Sequence, residues 1–377
     1  MTCGVPSRRH RAFQRMSRQL GATEKGGWHA EAASRRTRAR RRGEPAFRGR
    51  RPAAPAVPEE AGQERGRGRE AWRPDQIQPA GWRDIWWRIS GRIGRELVPL
   101  VAAGVAFFGM LALFPAIAML VSLAGLFFDP ELVIDQLDAL DGLAPAEPLG
   151  VVRDQAVELV SQAPGQATAT AVISLALSLF WASRGIDNLV SGINMAHAED
   201  ESRNIIMRNL VSLGLTAVLT TMALAALALA VAAPPAAEAL GLAGWTGTLI
   251  SVGRWLVLGL LSMAALGLLY RYAPARRPPR WSWVTPGAVI ATALWLGSSV
   301  LFALFVRNFG SYQPTYGALA GVVILLLYIW MTAFVVLLGA LLNAEMEHQS
   351  WRDTTRGRVR PMGERNAEMA DTLGRRP

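Results

Sequence analysis

Six long apolar stretches run through this sequence, and they restrict its fold more than any other feature. A helix needs about 20 apolar residues to cross a hydrocarbon core ~30 Å thick, and each stretch reaches or nearly reaches that length. None alternates apolar and polar residues with a period of two, so strands are not indicated. Because backbone polar groups inside a bilayer must be satisfied within the segment, we expect helices. The stretches cover residues 97–128, 167–183, 210–233, 245–270, 281–306 and 317–343.

The composition agrees with a membrane protein. Hydrophobic residues make up 51% of the 377-residue chain and charged residues only 18%, whereas soluble proteins average roughly 25% charged residues. We therefore predict an all-α integral membrane protein. A bundle of six transmembrane helices occupies residues 81–350, and a cytoplasmic polar tail follows at residues 351–377.

The N-terminal 80 residues have a different character. Residues 1–75 hold 19 Lys and Arg against 8 Asp and Glu, so the whole net charge of +11 lies in this segment. No apolar period is present that would bury one face, and we predict a disordered, Arg-rich tail over residues 1–80. It is either a polybasic arm for anionic lipid or RNA, or a weakly constrained extension. Since the remaining chain is neutral, we expect no specific nucleic-acid partner.

The arginines that flank the stretches predict an orientation. Fifteen of them lie before the first stretch, between the second and third, between the fourth and fifth, and after the sixth, whereas three lie on the alternating side. Cytoplasmic loops carry the excess of Lys and Arg, so both termini are expected in the cytoplasm.

Motifs for catalysis and metal binding are absent from the sequence. Cys3 is the single cysteine, and the four histidines form no HxH or HExxH pair. There is no GxSxG, no Walker A lysine motif and no GxGxxG set between strand and helix. We accordingly predict no catalytic residues, no metal site and no cofactor, and we expect a protein that is not an enzyme.

Ionisable residues in or beside spans are costly, and they are therefore the default candidates for function. Arg254 either binds an anion inside the bundle or reaches the outer interface and pairs there. A second group, Arg184, Asp187 and Asn188, closes the second stretch. It either binds a headgroup or gates a cytoplasmic mouth, or it forms a salt-bridge network that fixes the following loop, and the network interpretation is favoured. Arg307 and two tyrosines either grip a phosphate or sugar or anchor the interface, and the anchor interpretation is favoured. These candidates are Arg184, Asp187, Asn188, Asn194, Glu201, Arg203, Arg254, Arg307, Tyr312 and Tyr316.

Several ordered segments carry a family resemblance. They include Ala106-Phe107-Phe108 with Phe114-Pro115, Trp181-Ala182-Ser183-Arg184, Leu269-Tyr270-Arg271-Tyr272-Ala273-Pro274, Pro286-Gly287-Ala288 with Trp295, Tyr312-x-x-x-Tyr316-Gly317, and Leu338-Gly339-Ala340-Leu341-Leu342-Asn343-Ala344-Glu345. In this order and spacing, residues 82–347 resemble the YihY/BrkB family of bacterial inner-membrane proteins, some of which carry the label ribonuclease BN.

The resemblance implies six spans, both termini in the cytoplasm, and envelope-related work such as lipid or lipopolysaccharide-precursor export. It adds Asn343 and Glu345 to the candidate substrate-binding residues. Many relatives carry Glu where this chain has Leu341, so a proton-coupling role of that carboxylate is in doubt unless Glu345 replaces it.

The leading functional hypothesis is an inner-membrane protein that moves or holds an anionic lipid or other envelope component. It is motivated by basic groups at both faces of a neutral bundle, namely Arg184, Arg254 and Arg307. The alternative is a scaffold subunit of an envelope-assembly complex that transports nothing. The partners expected are membrane lipids, with an anionic lipid or glycolipid as substrate. The sequence leaves open the substrate, the energy source and the oligomeric state.

Overall fold

A computed structural model describes residue 64 and residues 66–127, 164–239, 245–309 and 318–376. In these ranges the chain is helical, apart from turns and one isolated β-bridge between Pro279 and Thr355. A short 3₁₀-helix, Pro74–Gln76, comes first. The α-helices are α1 (Pro79–Arg95), α2 (Val98–Phe127), α3 (Pro164–Ala196), α4 (Ile205–Ala239), α5 (Trp245–Tyr272), α6 (Trp281–Phe309), α7 (Ala318–Glu347) and α8 (Glu368–Asp371).

Five described helices are long and apolar enough to cross a membrane. The candidate spans are Val98–Met119, Ile205–Ala226, Gly253–Tyr272, Trp281–Arg307 and Gly321–Glu347, in α2, α4, α5, α6 and α7. They confirm the predicted all-helical membrane class and five of the six predicted stretches. The remaining stretch, residues 167–183, falls within the 33-residue helix α3, which is not among the five.

The long helices form a ring. Each of α2 to α7 packs against its neighbour in sequence, and α7 closes the ring against α2 while also touching α3. The outer surface is strongly apolar: Leu100, Val172, Leu256 and Leu301 are each more than 60% exposed. A continuous apolar exterior of this kind is typical of a surface that faces lipid.

Small residues allow the helices to approach closely at the ring's inner contacts. A Cβ at Gly339 of α7 would overlap with the Tyr270 hydroxyl of α5 and with Ala291 of α6. The Tyr270 hydroxyl donates a hydrogen bond to the Val336 carbonyl at 2.8 Å. Glycine at this position therefore brings three helices together, as small residues do in membrane bundles.

One end of the bundle carries most of the polar contacts, and we call it the charged end. It is formed by α1, by the loop that joins α3 to α4, by the loop that joins α5 to α6, and by residues 348–376 after α7. Part of the predicted tail also lies here, and for residues 66–80 the prediction of disorder is wrong. Ala71 and Ile77 are buried in one cluster with Trp283 and Met346.

The two ends of the described chain meet at the charged end. The Trp351 N–H donates to the Arg69 carbonyl at 3.0 Å, and the Arg69 guanidinium donates to the Gly374 carbonyl at 2.7 Å. The predicted polar tail after residue 350 is likewise packed, with Asp353, Thr355 and Arg365 buried. Sequence periodicity missed both segments because they bury isolated residues in loops rather than one face of a helix.

Candidate functional site

A buried ion-pair group joins α1 to α7. Arg88 and Arg92 lie one turn apart on α1, and both donate to the Glu345 carboxylate near the end of α7, with Arg92 Nη1 at 2.7 Å from Oε1. Arg88 also donates to Gln349 Oε1 at 2.8 Å, and Arg92 to the Ala196 carbonyl at 2.8 Å. The Glu345 side chain is only 1% exposed. This carboxylate therefore pairs with two guanidinium groups where α1 meets the end of α7.

A second buried pair lies beside it. Arg276, in the loop after α5, donates to Glu347 Oε2 at 3.0 Å, and the Thr354 hydroxyl donates to the same carboxylate at 2.8 Å. His197 is buried close by, and its Nδ1 lies 2.9 Å from the Ile193 carbonyl. Burial and the charge of Arg276 hold the pKa of His197 well below its ordinary value, so the imidazole is neutral.

The predicted residues Asn194, Glu201 and Arg203 come together as a clamp. Asn194 Nδ2 donates to Glu201 Oε2 at 2.9 Å, and Arg203 Nε donates to Oε1 at 2.7 Å. The Ala275 N–H donates to Asn194 Oδ1 at 2.7 Å, and Arg203 reaches the Ala273 carbonyl at 2.8 Å. The hydrogen bonds from Arg203 hold the pKa of Glu201 below its ordinary value. The clamp ties the α3–α4 loop to the α5–α6 loop.

Next to the clamp lies a polar pocket of about 750 Å³. Its walls come from the α3–α4 loop, the end of α5, the α5–α6 loop and the C-terminal segment. Four guanidinium groups line it, together with three carboxylates: Arg203, Arg271, Arg276, Arg277, Glu199, Asp200 and Glu368. The volume is within the range of roughly 300–1,000 Å³ that is usual for ligand pockets.

The basic groups of the polar pocket are only partly satisfied. Arg271 donates to the Pro279 carbonyl at 2.8 Å and lies 4.5 Å from the centre of the Trp281 ring. Arg277 Nη2 donates to the Arg358 carbonyl at 3.1 Å. Within the described residues, Arg271 Nε, Arg276 Nε and Arg277 Nη1 have no hydrogen-bond partner. These three nitrogens are buried, and the lining of the pocket carries four guanidinium groups against three carboxylates.

Glu199 is one of the three carboxylates that line the polar pocket. Glu199 accepts a hydrogen bond from the Glu368 N–H at 2.8 Å. Burial raises the pKa of the Glu199 carboxyl, and the neighbouring Glu368 and Glu347 raise it further, while that hydrogen bond and Arg276 act in the opposite direction. Burial thus disfavours the charged form of Glu199.

Asn343 binds backbone groups beside a proline in α6. The Gly287 N–H donates to Asn343 Oδ1 at 3.0 Å, and Asn343 Nδ2 donates to the Val284 carbonyl at 3.2 Å. A Cβ at Gly287 would overlap with the Asn343 amide, so the close approach requires glycine. Since Pro286 lacks an N–H, this amide stabilises the interrupted helix in the protein interior.

The other predicted residues lie apart from the polar pocket. Asp187 pairs with Arg208 of α4 at 2.7 Å rather than with Arg184. Asn188 donates to the Arg184 carbonyl at 3.1 Å, while the Arg184 guanidinium lies 5.2 Å from the Phe180 ring centre. Arg254 lies 5.5 Å from the Trp255 ring centre. Tyr312 and Tyr316 fall outside the described residues.

The three arginines that motivated the functional hypothesis are not brought together at either large pocket of the described chain. Arg184, Arg254 and Arg307 line neither the polar pocket nor the apolar cavity between α4, α5, α6 and α7. Of the residues that do line the polar pocket, Arg203 was among the predicted binding residues, whereas Arg276 and Arg277 were used in the sequence only to predict orientation. One usable signal was the density of arginine over the ten residues 271–280, which include Arg271 at the end of α5 and Arg276, Arg277 and Arg280 in the loop that follows.

Comparison with known proteins gives a family. The family described as virulence factor BrkB matches residues 89–362. The chain is similar to the putative ribonuclease-like protein YfkH of Bacillus subtilis, with 29% identity over 64% of this chain and 88% of the relative. It is also similar to a UPF0761 membrane protein of Neisseria meningitidis, with 28% identity over 71% of this chain and 63% of the relative.

A further UPF0761 membrane protein, from Tolumonas auensis, is 37% identical over 26% of this chain and 32% of the relative, so that match spans about a third of its length. No solved structure matches the chain. The family match covers well over half of the 377 residues, and the two UPF0761 relatives are described as membrane proteins. This confirms the resemblance found in the sequence: the chain belongs to the virulence factor BrkB family.

Proposed function

We propose that this protein is a six-span protein of the bacterial inner membrane that binds an anionic lipid or other anionic envelope component, and moves it or holds it. The observation that carries the proposal is the polar pocket, whose lining holds four arginines and three carboxylates. A phosphate or carboxylate headgroup is the group that such donors bind best.

The contact between the two ends of the chain supports six spans. Residues 66–77 and residues 350–376 pack together at the charged end, so the first and last spans begin and end on the same side of the bilayer. Two ends on one side require an even number of crossings. With five candidate spans found in other helices, α3 supplies the sixth.

The distribution of arginine supports a cytoplasmic charged end. Most arginines of the described residues lie at this end, whereas the far ends of α5 and α6 carry Arg254 and Arg307. The positive-inside rule therefore places both ends of the membrane domain in the cytoplasm. On this proposal the polar pocket opens to the cytoplasmic leaflet.

The rim of the polar pocket suits a headgroup. Tyr272 and Trp281 are each 48% exposed on either side of the buried Arg271. Amphipathic aromatic rings prefer the headgroup level of a bilayer, which sets Arg271 and Arg277 at the depth of lipid phosphates. A headgroup entering from the bilayer would meet the guanidinium donors without leaving the interface.

The proposal is tested with the purified protein in liposomes of phosphatidylcholine alone or with added phosphatidylglycerol. A fluorescent anionic lipid is expected to bind the native protein and to bind Arg277→Gln roughly tenfold more weakly, because one charge-assisted contact is lost. Arg95→Gln is the matched control, since Arg95 is an exposed arginine at the same end that does not line the pocket. Equal binding by all three proteins would refute the proposal, and a dithionite assay of lipid translocation separates moving from holding.

A non-transporting scaffold is the second candidate function. It is favoured by the ion pairs that fix the charged end, such as Arg92 with Glu345 and Arg276 with Glu347, since most polar groups there bind one another. Cross-linking in intact cells tests it: a stoichiometric protein partner, with no change when lipid composition changes, would favour the scaffold over the lipid-binding role.

We propose that the role is not enzymatic. The polar pocket presents guanidinium groups, which bind anions and do not exchange protons near neutral pH. The term ribonuclease-like belongs to the name of the Bacillus relative. Metal-dependent cleavage of RNA by the purified protein, lost on substitution of a single carboxylate such as Glu201, would contradict this part of the proposal.

A further inference from the structure

A second large pocket lies deep between four helices of the ring. Its volume is about 400 Å³, and α4, α5, α6 and α7 all contribute to its wall. With a rise of 1.5 Å per residue, the lining residues Leu266, Ala291 and Val336 lie ~9–17 Å from the ends of their helices at the charged end. This apolar cavity is therefore at the depth of hydrocarbon chains.

The wall of the apolar cavity is composed mainly of Leu and Ala side chains, with three hydroxyl groups, those of Ser262, Thr292 and Thr332. Thr332 Oγ1 already accepts a hydrogen bond from the Trp295 indole at 3.2 Å. The Thr292 hydroxyl has no partner among the described residues. A buried water needs two to four polar partners, and a cavity with so few offers little to hold water.

The apolar cavity is open to its surroundings, because Ala223 in its wall is exposed and Met222 and Leu261 are only partly buried. Apolar cavities of about 150 Å³ in soluble proteins stay dry and bind apolar molecules of matching size. Around this bundle the abundant apolar molecule is lipid, because the outer surface of α5 and α6 exposes Leu256 and Leu301.

We propose that the apolar cavity binds one hydrocarbon chain of a membrane lipid, inserted between α4, α5, α6 and α7. The proposal goes beyond the polar pocket: it concerns a chain at mid-membrane depth and does not depend on the charge of the headgroup. Both sites share α5, which carries Leu266 in the cavity and Arg271 in the polar pocket.

The test uses the full chain in liposomes that contain a phosphatidylcholine with a photoactivatable diazirine in the middle of one acyl chain. Mass spectrometry locates the labelled peptides after illumination. Labelling of the α5 and α6 segments that line the cavity is expected to saturate as the fraction of probe rises, whereas labelling of the outer face rises in proportion. Proportional labelling at both places in the native protein would overturn the proposal.

Two alanines on adjacent positions of α5 give matched variants. Ala265 lines the apolar cavity, whereas Ala264 is exposed on the outer face of the same helix. Ala265→Phe fills the cavity and is expected to lower its labelling roughly tenfold, or ~1.4 kcal/mol of binding free energy, while Ala264→Phe leaves it unchanged. Undiminished labelling in a folded Ala265→Phe protein would overturn the proposal.

The proposal for the apolar cavity and the proposal for the polar pocket can be refuted separately. The saturation measurement needs no variant, so it decides the matter even if Ala265→Phe does not fold. Repeating it with Arg277→Gln separates the two sites, because loss of the anionic-headgroup preference leaves saturable chain labelling in place. Unchanged headgroup preference with saturable chain labelling would refute the polar pocket alone.

Discussion

The charged end and the middle of the bundle are stabilised by opposite means. At the charged end, arginines and carboxylates far apart in sequence bind one another, as Arg88 binds Glu345 and Arg276 binds Glu347. At mid-membrane depth the helices contact through apolar and small residues, and a cavity remains between α4 and α7. Specific geometry is thus concentrated in the charged end, whereas the middle tolerates a space that lipid can enter.

The largest expected effect comes from breaking the buried pair group at the charged end. Glu345→Gln leaves Arg88 buried without its counter-charge and leaves Arg92 with Glu96 alone, and loss of one partner of a buried pair costs about 3–5 kcal/mol. The free energy of unfolding in detergent, followed by circular dichroism, should fall by that amount.

Glu96→Gln provides the control for this substitution. Glu96 also binds Arg92, at 2.5 Å, but it is 21% exposed and lies four residues after Arg92, at the end of α1. A loss of about 0–1 kcal/mol is expected for such a pair. Equal losses for the two variants would mean that burial does not distinguish the charged end from an ordinary surface.

An intermediate effect is expected at Asn343, where the charged end passes into the apolar middle. Asn343→Ala removes two hydrogen bonds in the interior, those to the Gly287 N–H and to the Val284 carbonyl. A typical intramolecular hydrogen bond contributes about 0.5–1.5 kcal/mol. The unfolding free energy should fall by ~2 kcal/mol. Asn343→Asp keeps an acceptor for the Gly287 N–H, so at a pH at which the new carboxyl is protonated its unfolding free energy should fall by less.

These sites show how much could be predicted from the sequence. The spans were found because apolar length is a local property, and Trp281 begins α6 where the fifth stretch was predicted to begin. Contacts between residues close in sequence, such as Arg203 with Glu201 or Asn188 with Arg184, are also predictable, because the spacing along a helix or loop brings these residues together.

The remainder of the candidate site was not predictable from one sequence. Arg88 and Glu345 are 257 residues apart, and only the folded ring brings α1 beside the end of α7. The same holds for Arg69 and Gly374, whose contact reversed the prediction of disorder for residues 66–80. Charge at a span edge gives no information about its partner, so the polar pocket was visible only as an excess of arginine.

A smaller effect, with opposite sign, is expected at Glu199 in the polar pocket. Its pKa is raised in the folded protein, so folding is favoured when the carboxyl is protonated and this contribution is lost as pH rises from the ordinary value of 4.5 through the folded-state pKa. Glu199→Gln keeps an acceptor for the Glu368 N–H without the charge.

At neutral pH Glu199→Gln should therefore be equal to or more stable than the native protein, by up to about 1 kcal/mol. The difference should vanish as pH falls toward 4. Glu201→Gln should behave in the reverse way, because Arg203 lowers the pKa of Glu201 and the native stability is lost as pH falls below 4.5. The check is to measure the unfolding midpoints of the native protein and of both variants against pH. The prediction would be contradicted if the two variants differed from the native protein in the same direction at neutral pH.

The smallest effect is expected in the middle of the bundle, at Thr292. Its hydroxyl has no partner among the described residues, so Thr292→Val exchanges an unsatisfied polar group for a methyl of similar shape. Removal of such a group is nearly neutral or stabilising, which is the reverse of the loss at Asn343. An unfolding free energy within ~0.5 kcal/mol of the native value, or above it, is expected. A loss of 2 kcal/mol or more would show that the hydroxyl binds an ordered water, and the apolar cavity would then resemble the charged end more than the hydrocarbon around it.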